Sequence, residues 1–166
     1  MLAKVKNHFL YLWAFGMMLF FTACSNQTSN QTKKQASAFK KAIQEALNVR
    51  QKAYAPYSNY LVGSALVTPS NKTYLGCNIE NASYGATNCA ERSALFTAVS
   101  SGDREFSMLV VASKDGKAFP CGICRQALNE FSPDMLIILI NEKGKITQKI
   151  KLSRLLPNAF GPHNLK

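Results

Sequence analysis

Histidine is nearly missing from this chain: among 166 residues there are two, His8 near the start and His163 near the end. Neither sits where it could easily complete a metal site in the middle of the sequence. Long apolar runs are also missing. The one uncharged stretch of note, Phe9 to Phe21, is about 13 residues long, too short to cross a bilayer comfortably. Acidic residues are few, 9 against 20 basic ones, which leaves a formal charge of +11. Such a balance can signal a nucleic-acid or membrane partner. Here the cations are scattered in pairs (Lys33 and Lys34, Lys40 and Lys41, Lys143 and Lys145) with no dense basic run, which favours a solvated surface without nucleic acid. No internal repeat is visible.

What is present is globular in character: 47% hydrophobic and 17% charged residues, enough for one sizeable core. The front end stands apart. Lys4, Lys6 and His8 precede the short apolar run, as in a signal-peptide h-region. Phe21-Thr22-Ala23-Cys24-Ser25 then resembles the cleavage box of bacterial lipoproteins, with Phe21 where Leu is usual. Cys24 is thereby the expected lipidation site. Residues 1–23 read as a signal peptide, 24–35 as a flexible polar tether and 36–166 as the folded domain. The implied location is the cell envelope, membrane-anchored through the N-terminal lipid. The alternative is an ordinary signal anchor, or a wrongly assigned start and a cytoplasmic protein.

Periodicity outlines the folded part. Phe39, Ile43 and Leu47, with Ala42 and Ala46, predict a helix from Ala36 to Tyr54, ended by Pro56. Tyr60 to Thr68 and Thr73 to Ile79 read as a hairpin about Pro69–Lys72. Asn81 to Asn88 is loop, Cys89 to Ser100 helix and Met108 to Ala112 a buried strand. Cys121 to Phe131 is a second helix, Met135 to Ile140 another apolar strand, and Ile146 to Leu152 returns beside it. A helical piece at Leu152 to Leu156 leads into the tail. The order α-β-β-α-β-α-β-β predicts an α/β fold, one mixed sheet covered by helices, with the strands at Met108 and Met135 in its middle.

Cysteine spacing carries the chemistry. Besides Cys24 there are Cys77, Cys89, Cys121 and Cys124. Cys121-Gly122-Ile123-Cys124 places two thiols about one turn apart at a helix start, and Cys89 opens the other helix. Helix N-termini favour thiolates, because free N–H groups and the helix dipole stabilise negative charge. Three such thiolates would hold Zn²⁺ and leave a fourth corner for water, the open arrangement of a catalytic site. Glu91 follows Cys89 by two positions, and Cys-Ala-Glu with a later Pro-Cys-x-x-Cys is the zinc-deaminase pattern, in which the Glu shuttles protons. Arg92 and Arg125, beside the ligands, would offset the thiolate charge by hydrogen-bonding the sulfurs, or are plain surface arginines. Cys77 reads as a small buried hydrophobe.

These residues resemble cytidine deaminase over nearly everything from Ala53 to Phe160. The matching blocks are Ala55–Gly63, Gly76–Gly85, Cys89–Arg92, Pro120–Gln126 and Leu155–Pro157. The resemblance implies a three-layer α-β-α sandwich around a central five-stranded mixed sheet. It implies a zinc enzyme of pyrimidine salvage that hydrolyses cytidine and 2′-deoxycytidine to uridine and 2′-deoxyuridine. Asn78 and Glu80 would bind the ribose hydroxyls. The Ala90 N–H and Cys121 carbonyl would read the base edge. Tyr60 would lie by the base, at a position where the family often has Phe. Glu91 would take a proton from water, give it to N3 and then help ammonia leave. A homotetramer is implied, with Phe160 either packing in its own core or reaching a neighbour's pocket. The rivals are a thioredoxin-type redox protein built on the CxxC, and a zinc-stabilised nucleoside-binding scaffold without catalysis. The first leaves Cys89-Ala-Glu unexplained and puts its motif unusually late; the second has no missing active-site element in its favour.

Overall fold

The structure, a computed structural model, describes residues 31–165. Cys24 and the export-like leader lie outside the described residues. The chain forms two units, Met1–Ala38 and Phe39–Lys166. In the first, the described residues are helical and mostly exposed. The sheet and the cysteine cluster belong to the second.

In the described residues helix α1 covers 31–50, so helix is present within the segment expected to be tether and stops four residues short of Tyr54. The helical state of residues 31–35 has a simple basis: Gln and Lys are good helix formers. The early stop comes from long-range pairing. Lys52 and Ala53 turn back onto the carbonyls of Val49 and Arg50, and the Tyr54 N–H donates to the Asn78 carbonyl, bridging Tyr54 to Ile79.

Five strands follow, β1 (Gly63–Val67), β2 (Thr73–Cys77), β3 (Met108–Ala112), β4 (Leu136–Ile140) and β5 (Ile146–Lys151), in the spatial order β2-β1-β3-β4-β5. β3 and β4 are parallel and the other neighbours antiparallel, so the sheet is mixed. β3 and β4 are buried almost throughout, as continuous aliphatic strands require. Helices α2 (Ala90–Ser100) and α3 (Gly122–Asn129) cover one face, and α4 (Leu152–Leu155) follows β5. A short 3-10 turn, Tyr84–Ala86, interrupts the segment expected to be loop, and another, Pro162–Leu165, lies in the tail.

Alternation along the strands divides the core into two layers. Ala65, Val67, Val110, Ala112, Ile138 and Ile140 pack with Ala42 and Ala46 of α1. Leu66, Leu109, Val111, Ile137 and Leu139 pack with Ala94, Leu95 and Ala98 of α2 and Leu128 of α3. The result is the expected α-β-α sandwich. Two glycines let the helices come close. A Cβ on Gly63 would stand 2.3 Å from the Ala46 carbonyl oxygen, and one on Gly76 would stand 2.3 Å from that of Ala90.

The register aligns strand ends. Cys77 pairs with Gly63, Gly63 with Ala112, and Ala112 with Ile140. The carboxyl ends of β2, β3 and β4 therefore finish in one row. The helices entered after β2 and β3 both present their N-termini at that edge, where open α/β sheets place their ligand crevices.

Candidate metal centre and pocket

Cys89 is the N-cap of α2 and Cys121 the N-cap of α3; both have extended backbone, and neither side chain caps its own helix. Their sulfurs are thus left for another partner. Cys124, one turn into α3, is completely buried. The Sγ atoms of Cys89 and Cys121 are 3.9 Å apart, those of Cys121 and Cys124 are 3.4 Å apart, and all three lie within 4.8 Å of one another. Three thiolates on a tetrahedral Zn²⁺ at about 2.3 Å would be separated by about 3.8 Å. The sulfurs are already close to that spacing.

Their protonation points the same way. Hydrogen bonding from Cys124, then from Arg92 and Cys121, overcomes burial and brings the Cys89 thiol down to about 5. Cys124 is driven strongly upward, first by holding the proton it shares with Cys89, then by burial and by the negative charge of Glu91 and Cys89. Cys89 thus takes a negative charge readily while Cys124 resists one. A bound cation would remove that resistance, so the donor set fits zinc.

Glu91 stands in the first turn of α2 with 4% of its surface exposed. Burial pushes its carboxyl up to about 7, and the neighbouring Cys89 charge adds to the shift. It shares a cavity of about 240 Å³ with Cys89, Ala90, Cys121, Asn78, Tyr60 and Phe119. Among the described residues, the group able to hold a metal consists of the three cysteines and does not include Glu91. A carboxyl that titrates near neutrality beside a metal-competent cluster is suited to moving protons. The start of α2 is fixed from below, where the buried Ser64 hydroxyl donates to the Ala90 carbonyl at 2.8 Å.

The remaining expected site residues divide. Asn78 lines the pocket, with its amide fastened to backbone: Oδ1 accepts from the Val62 N–H at 2.8 Å and Nδ2 donates to the Tyr60 carbonyl at 2.9 Å. Glu80 lines a neighbouring cavity of about 360 Å³ with Tyr57, Ser58, Tyr84 and Thr87, and Thr87 borders both spaces. Its carboxylate accepts from the Tyr57 and Ser58 N–H groups and the Ser58 hydroxyl, and the hydroxyl contact holds it below the usual carboxylate range. Arg92 reaches the Cys89 sulfur at 3.8 Å and the Thr87 carbonyl at 3.2 Å. Arg125 differs from expectation. Its guanidinium donates to the carbonyls of Pro120 and Leu155, at 2.7 and 2.9 Å, so it braces the backbone ahead of Cys121 and makes no sulfur contact. Carbonyls on both sides of the guanidinium satisfy its planar donors, leaving it directed away from the cluster. Phe160 is 60% exposed and does not line this pocket. Cys77 donates to the Lys52 carbonyl, away from the cluster.

Sequence reasoning passed over the loop after β3. Its Ala118 and Phe119 form a pocket wall, and Asp115 pairs with the Tyr60 hydroxyl. The available signal was position: a loop entering Pro-Cys-x-x-Cys has to border whatever the cysteines hold.

Residues 36–140 match the family model described as the cytidine and deoxycytidylate deaminase zinc-binding region. A cytidine deaminase from Sporosarcina psychrophila is 47% identical over 127 residues, covering 75% of this chain and 93% of the relative. One from Halalkalibacterium halodurans is 49% identical over 120 residues, covering 71% and 90%. Among solved structures, the cytidine deaminase of Burkholderia pseudomallei superposes with a TM-score of 0.69 at 46% identity, covering 73% of this chain and 98% of that one. The cytidine deaminase of Mycobacterium tuberculosis gives 0.65 at 34% identity, covering 74% and 97%.

Proposed function

The chain belongs to the cytidine and deoxycytidylate deaminase family, and from that premise we propose that it is a zinc-dependent enzyme converting cytidine and 2′-deoxycytidine to their uridine counterparts in pyrimidine salvage. Water is consumed and ammonia released. The observation that carries the proposal is the pairing of a buried Glu91, held near neutral pKa, with three thiols gathered at adjoining helix N-termini.

Cys89, Cys121 and Cys124 hold the zinc, and zinc bound there supplies Lewis acidity and a water acidified toward neutrality. Three thiolates blunt that effect, and the Arg92 guanidinium at the Cys89 sulfur withdraws part of their charge. Glu91 accepts a proton from the attacking water and delivers it to N3 of the base. It then passes on the second proton so that the amine leaves as ammonia. Burial serves this task, since a solvated carboxyl would be too acidic to return the proton. The Ala90 N–H and Cys121 carbonyl read the base edge; the latter accepts from the Arg125 N–H at 2.9 Å and keeps a second lone pair. Asn78 and Glu80 take the ribose hydroxyls. Both nucleosides have the 3′-hydroxyl, so both are substrates.

The assembly is a homotetramer. Its support is a set of exposed large apolar side chains: Ile79, Tyr84, Ile123 and Phe160 are each at least 50% exposed. Phe160 enters a neighbour's pocket. The enzyme is anchored to the cell envelope by a lipid on Cys24, supported by the short apolar run and the cleavage-like box. Light scattering tests the first of these readings, and palmitate-analogue labelling, lost in Cys24→Ser, tests the second. The function itself is tested by metal analysis alongside a cytidine-to-uridine absorbance assay. Zinc near one per chain with turnover supports it; turnover without bound metal rejects it.

A further inference from the structure

Tyr60 carries a hydroxyl at the pocket rim, and the structure shows what it holds. The phenol donates to Asp115 Oδ1 at 2.7 Å. Asp115 is distant in sequence, in the loop between β3 and α3. The same oxygen accepts from the Ser113 hydroxyl at 3.2 Å and the Lys117 N–H at 3.1 Å. The fully buried Ser113 in turn accepts from the Gly116 and Ala118 N–H groups, at 3.0 and 3.4 Å. From the opposite side, Thr147 of β5 donates to the Gly116 carbonyl. This loop therefore has a built interior, and it ends in Ala118, Phe119 and Cys121 on the pocket wall.

Tyr60 is held equally well on its other side. Its N–H donates to the Ser58 hydroxyl at 3.0 Å, that hydroxyl binds Glu80, and its carbonyl accepts from Asn78. One hydrogen-bonded chain thus runs from Glu80 through Ser58, Tyr60 and Asp115 to the loop that delivers Cys121. The Tyr60 hydroxyl is a side-chain link between the two walls, added to the β1–β3 ladder that also joins them. A phenylalanine would fill the same space without closing the chain.

We propose that Asp115 is a positioning residue that acts through the Tyr60 hydroxyl, fixing the separation of the two pocket walls and thereby the affinity for the pyrimidine nucleoside. This rests on the deaminase reading of the site. The hydroxyl is committed to Asp115, so Tyr60 offers the base its ring, and Asp115 touches no reacting atom.

Titration calorimetry with uridine and cytidine kinetics, both on the zinc-loaded full chain, test the latch. Tyr60→Phe and Asp115→Ala should each weaken uridine binding and raise KM about tenfold, the scale of a hydrogen bond to a charged group. The kcat should stay within about twofold, because the lost interaction is uniform binding. The double variant should be no worse than either single one, since both cut the same link. Asp115→Asn, whose amide oxygen still accepts from the phenol, should recover most of the affinity. Additive losses, unchanged uridine affinity, or a fall in kcat alone would each overturn the proposal. If Asp115→Ala folds poorly, the isosteric Tyr60→Phe carries the test. A wild type that binds uridine and fails to deaminate cytidine would count against the catalytic reading, and uridine affinity would still decide the latch.

Discussion

Against α1, the sheet presents Ala65, Val67, Val110, Ala112, Ile138 and Ile140, a layer of small and branched aliphatic side chains. Against α2 and α3 it presents a similar set, Leu66, Leu109, Val111, Ile137 and Leu139. The second layer ends differently. At its edge the helix N-termini carry Glu91 and Cys124, both buried, groups whose charged forms burial disfavours. Aliphatic burial stabilises both sides of the sheet; the second gives some back to hold Glu91 and Cys124, whose pKa values are raised there. Perturbed groups of that sort cluster at functional sites.

Removing a ligand should separate the two faces most strongly. Cys124→Ala is expected to lose zinc, all measurable deamination and much thermal stability together, because metal binding at such a site is also folding free energy. Metal analysis and a melting curve on one sample check this, and full zinc occupancy in the variant would exclude Cys124 from the site. The opposite face should respond by packing alone. Ile138→Ala should cost about 2–5 kcal/mol in denaturant unfolding, as buried Ile truncations do, and leave zinc content and KM of the folded protein unchanged.

A third substitution should reverse the usual sign. The Glu91 carboxyl is raised from 4.5 to about 7, so the folded chain holds this proton more tightly than the unfolded chain. Its contribution is complete below about pH 4.5 and is lost as pH rises through 7. In the metal-free protein at about pH 8, the buried carboxylate should cost about 3 kcal/mol. Glu91→Gln should therefore melt higher than wild type there, and the gap should close toward about pH 5. Equal melting temperatures at both pH values would mean that burial imposes no such cost.

The comparison also explains what was legible in the sequence. Strand β3 has the expected bounds, and β4 differs by one residue, because a continuous aliphatic run has few other places to go. The ends of α1 and β1 were less legible. Tyr60 and Leu61 continue the apolar pattern of the next strand, yet β1 begins at Gly63. The Asn78 side chain takes the Val62 N–H and the Tyr60 carbonyl, replacing part of the ladder, and that exchange spans a contact far apart in sequence. The cysteines and Glu91 were legible because helix starts fix their placement. Asp115 was not, since nothing local connects a turn aspartate to a tyrosine 55 residues away. Arg125 lies beside Cys124 in sequence, and the carbonyls that claim it, one of them at Leu155, become visible only in three dimensions.

The most direct test of the central claim is Glu91→Gln in the zinc-loaded protein, with zinc content and cytidine turnover measured on the same preparation. The amide preserves shape and cannot take the proton of the attacking water. General acid–base help is commonly worth about two to four orders of magnitude, and one residue serving successive proton transfers should fall at or beyond the top of that range. Zinc should stay near wild type, because Cys89, Cys121 and Cys124 remain. Glu80→Gln, the paired control, should mainly weaken binding. Loss of turnover by about four orders of magnitude with zinc retained is the expected result. Deamination within about threefold of wild type would contradict the account, since Glu91 would then not be the proton shuttle.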